Sequence, residues 1–143
     1  MTTIGFEFAG GLTEILTSNN AYYEAFNDDV SLICQVEVQS NSAPAVGTSG
    51  NVTFNWETRV GRPGLIQTVS MYRHTTGLYV DVAGGAAPTV DTAGTFAMTV
   101  APQNFVSGGN VRARITWQPV NDEDAANDGW LHSVDLATWT ISP

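Results

Sequence analysis

The chain has 143 residues, with 14 acidic side chains against five basic ones, all arginine, and a formal net charge of −9. This length fits one domain, and a hydrophobic fraction of 43% is that of an ordinary globular protein rather than of a disordered chain. The acidic balance repels phosphate backbones and anionic lipid surfaces, so we expect neither nucleic acid nor membrane as a partner.

The first 29 residues have the least regular pattern. Residues 3–8 and 12–17 are strand candidates, and residues 21–26 are predicted to form one helical turn capped by Asn20, or a loop. We expect this part of the chain to form edge strands or an arm that contacts a neighbouring subunit. Its aromatic side chains are candidates for that contact: Tyr22, Tyr23 and Phe26.

From residue 30 onward, apolar and polar residues alternate with period two, which is the pattern of strands with one buried face. Glycine-, proline- and asparagine-rich turns separate these segments. The predicted strands are 30–39, 51–59, 65–74, 77–83, 94–101, 110–118 and 130–142. They predict an all-β protein, an antiparallel β-sandwich of seven to nine strands in a single domain over residues 1–143.

The spacing of Cys34 and Trp56 on successive predicted strands resembles the second and third strands of an immunoglobulin-like domain. The later segments 94–100, 111–117 and 130–141 resemble its last three strands. The resemblance implies an immunoglobulin-like strand order. A viral jelly roll is the alternative, and the sequence leaves both orders open. Cys34 is the single cysteine, so no disulfide within the chain is expected, and its apolar neighbours predict a buried thiol.

Neither histidine stands in a pattern typical of catalysis. His132 and Ser133 are adjacent on a predicted strand, so their side chains face opposite sides of the sheet. His74 ends another strand, and no glycine-flanked serine nucleophile follows a strand. We therefore expect structural roles for both histidines and a protein that is not an enzyme.

Residues 121–129 contain four acids and two asparagines, an oxygen-rich composition that suits calcium. The spacing does not match an EF-hand loop, and a solvated acidic loop is the alternative interpretation. No cofactor is expected apart from this candidate calcium site, which has three aspartates as candidate ligands: Asp122, Asp124 and Asp128.

Two features predict a surface that binds another molecule. Trp130 and Trp139 are an odd number of residues apart, so on an unbroken strand they point to opposite faces, and Trp130 is the candidate for a contact. Arg112 and Arg114 share one face of their strand, where they can pair with carboxylates of a neighbour or of their own chain.

Sandwiches of this style without disulfides resemble accessory domains of tailed-phage virions and prokaryotic surface proteins. The resemblance implies a structural virion protein, a capsid decoration or accessory protein that forms a homo-oligomer and contacts other virion proteins on the capsid surface. The sequence begins without a secretory signal, so synthesis in the host cytoplasm and location in the virion are expected. The alternative is a carbohydrate-binding or adhesion module, in which aromatic side chains stack on sugar rings.

Overall fold

The computed structural model describes the backbone of residues 2–4 and 6–9, and backbone and side chains of 22–27, 32–121 and 130–143. In these ranges the chain forms ten strands and one short 3-10 helix. The strands are β1 (Thr2–Ile4), β2 (Phe6–Ala9), β3 (Tyr23–Phe26), β4 (Cys34–Ser40), β5 (Asn51–Val60), β6 (Leu65–Arg73), β7 (Leu78–Ala86), β8 (Thr92–Met98), β9 (Val111–Pro119) and β10 (Leu131–Ser142). The helix spans Pro102–Phe105.

The described residues form two five-stranded antiparallel sheets, and the prediction of a β-sandwich is confirmed. The first sheet has the order β1-β4-β9-β6-β7, and the second has the order β2-β3-β10-β5-β8. Alternation along the strands produces the core: in β5 every second side chain, from Val52 to Val60, is buried. The same pattern in β9, which belongs to the first sheet, buries Val111, Ala113, Ile115 and Trp117.

The strand order from β3 to β10 is that of a rolled-up hairpin. At its centre, β6 and β7 are joined directly and pair with each other, while β5 pairs with β8, β4 with β9, and β3 with β10. All the remaining connections between successive strands from β3 to β10 cross from one sheet to the other. This is a jelly roll, the alternative fold considered from the sequence.

The immunoglobulin-like order predicted from Cys34 and Trp56 is wrong. In that order the last two strands pair side by side, whereas here β9 and β10 lie in different sheets. Cys34 and Trp56 are both buried, as expected, but periodicity reports only burial and not which strands pair. The helical turn or loop expected over residues 21–26 is also wrong, because Tyr23–Phe26 pairs with β10 as strand β3.

Aromatic rings from β5 and β10 pack against each other on the inner face of the second sheet. The Phe54 ring stacks against Trp56, with 5.6 Å between ring centroids, and lies 4.7 Å from Trp139. The indole of Trp56 lies so close to the backbone of β8 that a Cβ atom at Gly94 would overlap it. Glycine at this position therefore allows the indole to lie across the inner face of β8, the neighbouring strand of the same sheet.

Candidate functional site

The outward face of the first sheet brings polar and aromatic side chains from four strands together. On β4 and β9, Glu37 lies opposite Arg114 and Gln39 opposite Arg112. On β6 and β7, Ser70 lies opposite Asp81 and Tyr72 opposite Tyr79. We call this surface the platform, and define it by eleven residues: Gln35, Glu37, Gln39, Thr68, Ser70, Tyr72, Tyr79, Asp81, Arg112, Arg114 and Thr116.

Two arginines and two tyrosines form the centre of the platform. The guanidinium of Arg114 lies over the Tyr79 ring at 4.0 Å from its centroid, and that of Arg112 lies 5.1 Å from the centroid of the Tyr72 ring. The two tyrosine rings meet edge to face at 5.2 Å. Such contacts fix the rings and the cations in place before any ligand arrives.

Burial and charge both act on the Tyr79 hydroxyl. Burial, and secondly the neighbouring Glu37 carboxylate, raise the pKa of Tyr79, so this side chain stays a neutral phenol at physiological pH. The Glu37 side chain is the hydrogen-bond partner that contributes to this shift, and within the described residues the buried Nε of Arg114 has no such partner. The centre of the platform therefore combines a neutral phenol with two guanidinium groups, each of which carries several N–H donors.

Hydrogen bonds between side chains hold the border of the platform. Arg112 Nε donates to Asn110 Oδ1 at 2.8 Å, and Asn110 Nδ2 donates to Asn41 Oδ1 at 2.8 Å. At the opposite end, Thr116 Oγ1 donates to Gln35 Oε1 at 3.2 Å. These bonds orient one of the two arginines and extend the polar surface past the strand ends.

The structure places two of the six predicted interface residues on the platform. Arg112 and Arg114 share its outward face, as their spacing predicts. Tyr22 lies instead at the second sheet, where Arg59 lies over its ring at 4.0 Å and its hydroxyl donates to Asp91 Oδ2 at 2.6 Å. The hydrogen bond to Asp91 is the main reason that the pKa of Tyr22 is raised to about 12. Phe26, on β3 of the same sheet, is half-buried.

For the other two candidates, Tyr23 and Trp130, the prediction of an exposed interface role is wrong. Tyr23 belongs to the core, and Trp130 is only 3% exposed, with Arg62 lying 4.8 Å from the centroid of its ring. An irregularity of β10 between Val134 and Leu136 explains the error for the tryptophans. The extra residue reverses the alternation, so Trp130 and Trp139 both point inward.

Both histidines donate hydrogen bonds to backbone carbonyl groups within the fold. His74 Nε2 lies 3.0 Å from the carbonyl oxygen of Asn110, and its ring contacts Tyr72 edge to face. His132 is buried with Nδ1 at 3.1 Å from the carbonyl oxygen of Ala25, so Nδ1 carries the proton of a neutral ring. Burial lowers the pKa of His132 to about 4.

The predicted calcium ligands Asp122, Asp124 and Asp128 lie outside the described residues. Within the ranges that the structure does describe, no three His, Cys, Asp or Glu side chains come together in an arrangement that suits a metal ion. In the same ranges, no helix combines the length and the hydropathy needed to cross a bilayer.

Sequence reasoning missed Tyr72 and Tyr79, which complete the platform. Their own pattern contains a signal, since Ser70 and Tyr72 on one strand, and Tyr79 and Asp81 on the next, are each two residues apart and flank a tight turn. What the pattern does not contain is the pairing of β6 with β9, which brings the arginines beside the tyrosines across 40 residues of chain.

Comparisons with known proteins give a fold and no family. No protein-family model and no curated protein matches the sequence. Among solved structures, the chain is similar to a CBM4 carbohydrate-binding module, with a TM-score of 0.56, 11% identity, and coverage of 97% of this chain and 94% of that one. It is also similar to TmCBM61 in complex with β-1,4-galactotriose, with a TM-score of 0.50, 10% identity and coverage of 83% and 69%.

A third similar structure is the family 30 carbohydrate-binding module of the cellulosomal cellulase Cel9D-Cel44B of Clostridium thermocellum. It has a TM-score of 0.50 and 10% identity over 98% of this chain and 92% of that one. At such identities the similarity concerns the architecture alone, and it places this chain among two-layer β-sandwiches of the kind found in carbohydrate-binding modules.

Proposed function

We propose that the protein is a carbohydrate-binding module that holds an oligosaccharide on the platform. The observation that carries this proposal is the convergence of Tyr72, Tyr79, Arg112 and Arg114 on one sheet face, among amide and carboxylate side chains. Sugars combine apolar C–H faces with rings of hydroxyl groups. A surface that recognises sugars needs aromatic rings to pack on the C–H faces, and planar groups with several donors or acceptors to bond the hydroxyl groups.

The charge of the platform favours a neutral glycan. Its two arginines are balanced by two acids, Glu37 and Asp81, so the surface has no excess charge to attract a uronate or a sulfate. Four strands side by side span roughly 14 Å, which suits an oligosaccharide rather than a single sugar. Three of the structures that share the fold are carbohydrate-binding modules, and one of them holds β-1,4-galactotriose.

Isothermal titration calorimetry with β-1,4-galactotriose, cello-oligosaccharides and xylo-oligosaccharides tests the proposal. We expect one of these probes to bind, and the double variant Tyr72→Ala/Tyr79→Ala to lose about tenfold in affinity. Tyr22→Ala is the matched control, because Tyr22 also lies beneath an arginine but at the second sheet. The proposal fails if no glycan binds, or if the control weakens binding as much as the platform variant.

The role as a capsid decoration protein, the expected homo-oligomer and the location in a virion stay predictions. They rest on the resemblance described for the sequence, and the same titration separates the two functions. A chain that binds no glycan but forms a stable oligomer by light scattering would favour the assembly role.

A further inference from the structure

The open edge of the sandwich contains a cleft of about 220 Å³ that is separate from the platform. It lies between the edge strands β7 and β8, where the two sheets face each other. Its walls come from both sheets and from the loop between these strands, and they include Trp56, Gln67, Val69, Gly85, Pro88 and Thr92. The platform residues point away from this space, because they lie on the outward face of the first sheet.

Small residues keep the cleft open. The end of β7 consists of Ala83, Gly84, Gly85 and Ala86. Gly85 lies opposite the inward-facing Gln67, and a Cβ atom at Gly85 would meet no heavy atom within 4 Å. A larger side chain at this position would therefore fill the cleft instead of colliding with the fold.

Gln67 gives the cleft a defined hydrogen-bond donor. Its Oε1 accepts hydrogen bonds from Thr58 Oγ1 and Trp117 Nε1, both at 2.8 Å. An indole nitrogen only donates, so this bond fixes which end of the amide is oxygen. With both lone pairs of Oε1 in use, the remaining capacity of Gln67 is the two N–H bonds of Nε2.

The rest of the lining limits the ligand further. Thr92 Oγ1 donates to the carbonyl oxygen of Val90 at 2.9 Å, and so its lone pairs are left to accept. None of the residues that line the cleft is charged, which favours a neutral ligand. A cavity of about 150 Å³ accommodates one benzene ring, so this cleft has room for a six-membered ring with its substituents.

We propose that the cleft is a second glycan site, which takes one neutral pyranose unit at the end of a glycan chain. The indole of Trp56 provides an apolar wall for the C–H face of the sugar, Gln67 donates to one sugar oxygen, and Thr92 accepts from a sugar hydroxyl. The choice of a sugar as ligand rests on the proposed function, whereas the site itself rests on the geometry of the cleft. With both sites the protein would hold a glycan by its middle and by its end.

Nuclear magnetic resonance of the ¹⁵N-labelled protein tests this proposal with methyl β-D-galactopyranoside and methyl β-D-glucopyranoside as probes. We expect one probe to shift the indole N–H signal of Trp56 and the side-chain amide signals of Gln67 in a saturable manner. Gly85→Leu should abolish these shifts by filling the cleft. Gly47→Leu is the matched control, because Gly47 is an exposed glycine whose Cβ would also meet no atom within 4 Å.

The outcomes separate the cleft from the platform. If the glycosides still shift the Trp56 and Gln67 signals in Tyr72→Ala/Tyr79→Ala, the cleft is supported independently of the platform, even where no oligosaccharide binds there. Absence of saturable shifts in the wild-type protein, or shifts confined to platform residues, would overturn the cleft proposal. It is also overturned if free indole occupies the cleft while the glycosides do not. Because the outcomes that overturn the cleft proposal are all read from spectra of the wild-type protein, a variant that fails to fold does not remove the test.

Discussion

The guanidinium of Arg114 lies over the Tyr79 ring, with 4.0 Å from its central carbon to the ring centroid. The planar cation and the ring support each other, and together they present a rigid edge of N–H donors at the centre of the platform. The same pairing recurs around the molecule: four of the five arginines lie over aromatic rings, namely Arg59, Arg62, Arg112 and Arg114.

We predict that Arg114→Lys weakens oligosaccharide binding about threefold while leaving the fold intact. Lysine keeps the positive charge but loses the planar stacking and the fixed set of donors. The measurement is calorimetry with whichever oligosaccharide binds the wild-type protein. Arg59→Lys is the control, because Arg59 lies over Tyr22 at the same 4.0 Å but away from the platform. Equal affinities of wild-type protein and Arg114→Lys would mean that charge alone matters at this position.

Acid should destabilise the protein through His132. Its pKa is about 4 in the folded protein, against an ordinary value near 6.5, because burial disfavours the charged ring. Between these two values the unfolded chain binds a proton that the folded chain does not. The free energy of unfolding therefore falls as the pH drops from 6.5 to 4, by up to about 3 kcal/mol, and this contribution levels off below pH 4.

Urea unfolding of the wild-type protein and of His132→Phe across this pH range measures the effect. The variant loses the hydrogen bond to Ala25 and should be less stable at pH 7, but its stability should depend less on pH. Since the carboxylates titrate in both proteins, the difference between the two pH curves reports the imidazole. Two parallel curves would show that His132 is protonated to the same extent in the folded and unfolded chains.

How far the sequence predicts this structure depends on whether a feature is local. Alternation alone locates all the strands from β4 to β10, and it correctly places Arg112 and Arg114 on one face. Strand pairing is different, since many orders satisfy the same alternation. The pairs that define the jelly roll, such as β3 with β10, join residues about 100 positions apart, and no local pattern reports them.

The candidate site shows the same division. The two platform arginines lie on one strand and were predictable, whereas Tyr72 and Tyr79 reach them only through the pairing of β6 with β9. The prediction for Trp130 was wrong for a related reason. Its orientation was inferred from the alternation of side chains along β10. The irregularity between Val134 and Leu136 reverses that alternation, and no glycine or proline marks its position in the sequence.

Cys34 should react with a thiol reagent only when the chain unfolds. It is fully buried on β4, and burial raises the pKa of its thiol to about 12, so almost no thiolate exists near neutral pH. We expect no reaction of the native protein with Ellman's reagent at pH 8 on the timescale of minutes, and release of one equivalent at once in denaturant. Fast reaction of the native protein would contradict the burial of Cys34 on the inner face of β4.

Gly94 should tolerate no side chain. A Cβ atom there would overlap the indole of Trp56, which is held in turn by the Phe54 ring. Because either the indole or the backbone of β8 must shift to admit the methyl group, Gly94→Ala should lower the free energy of unfolding by about 1–3 kcal/mol. Chemical denaturation followed by tryptophan fluorescence measures this loss.

The control for that experiment is Gly84→Ala on the neighbouring edge strand. A Cβ atom at Gly84 would have its nearest contact at 3.8 Å, an ordinary van der Waals distance, and the backbone there has no positive φ. Alanine at this position should leave stability unchanged or raise it slightly, because it reduces the freedom of the unfolded chain. If both variants unfold at the wild-type midpoint, the close contact between Trp56 and β8 does not exist.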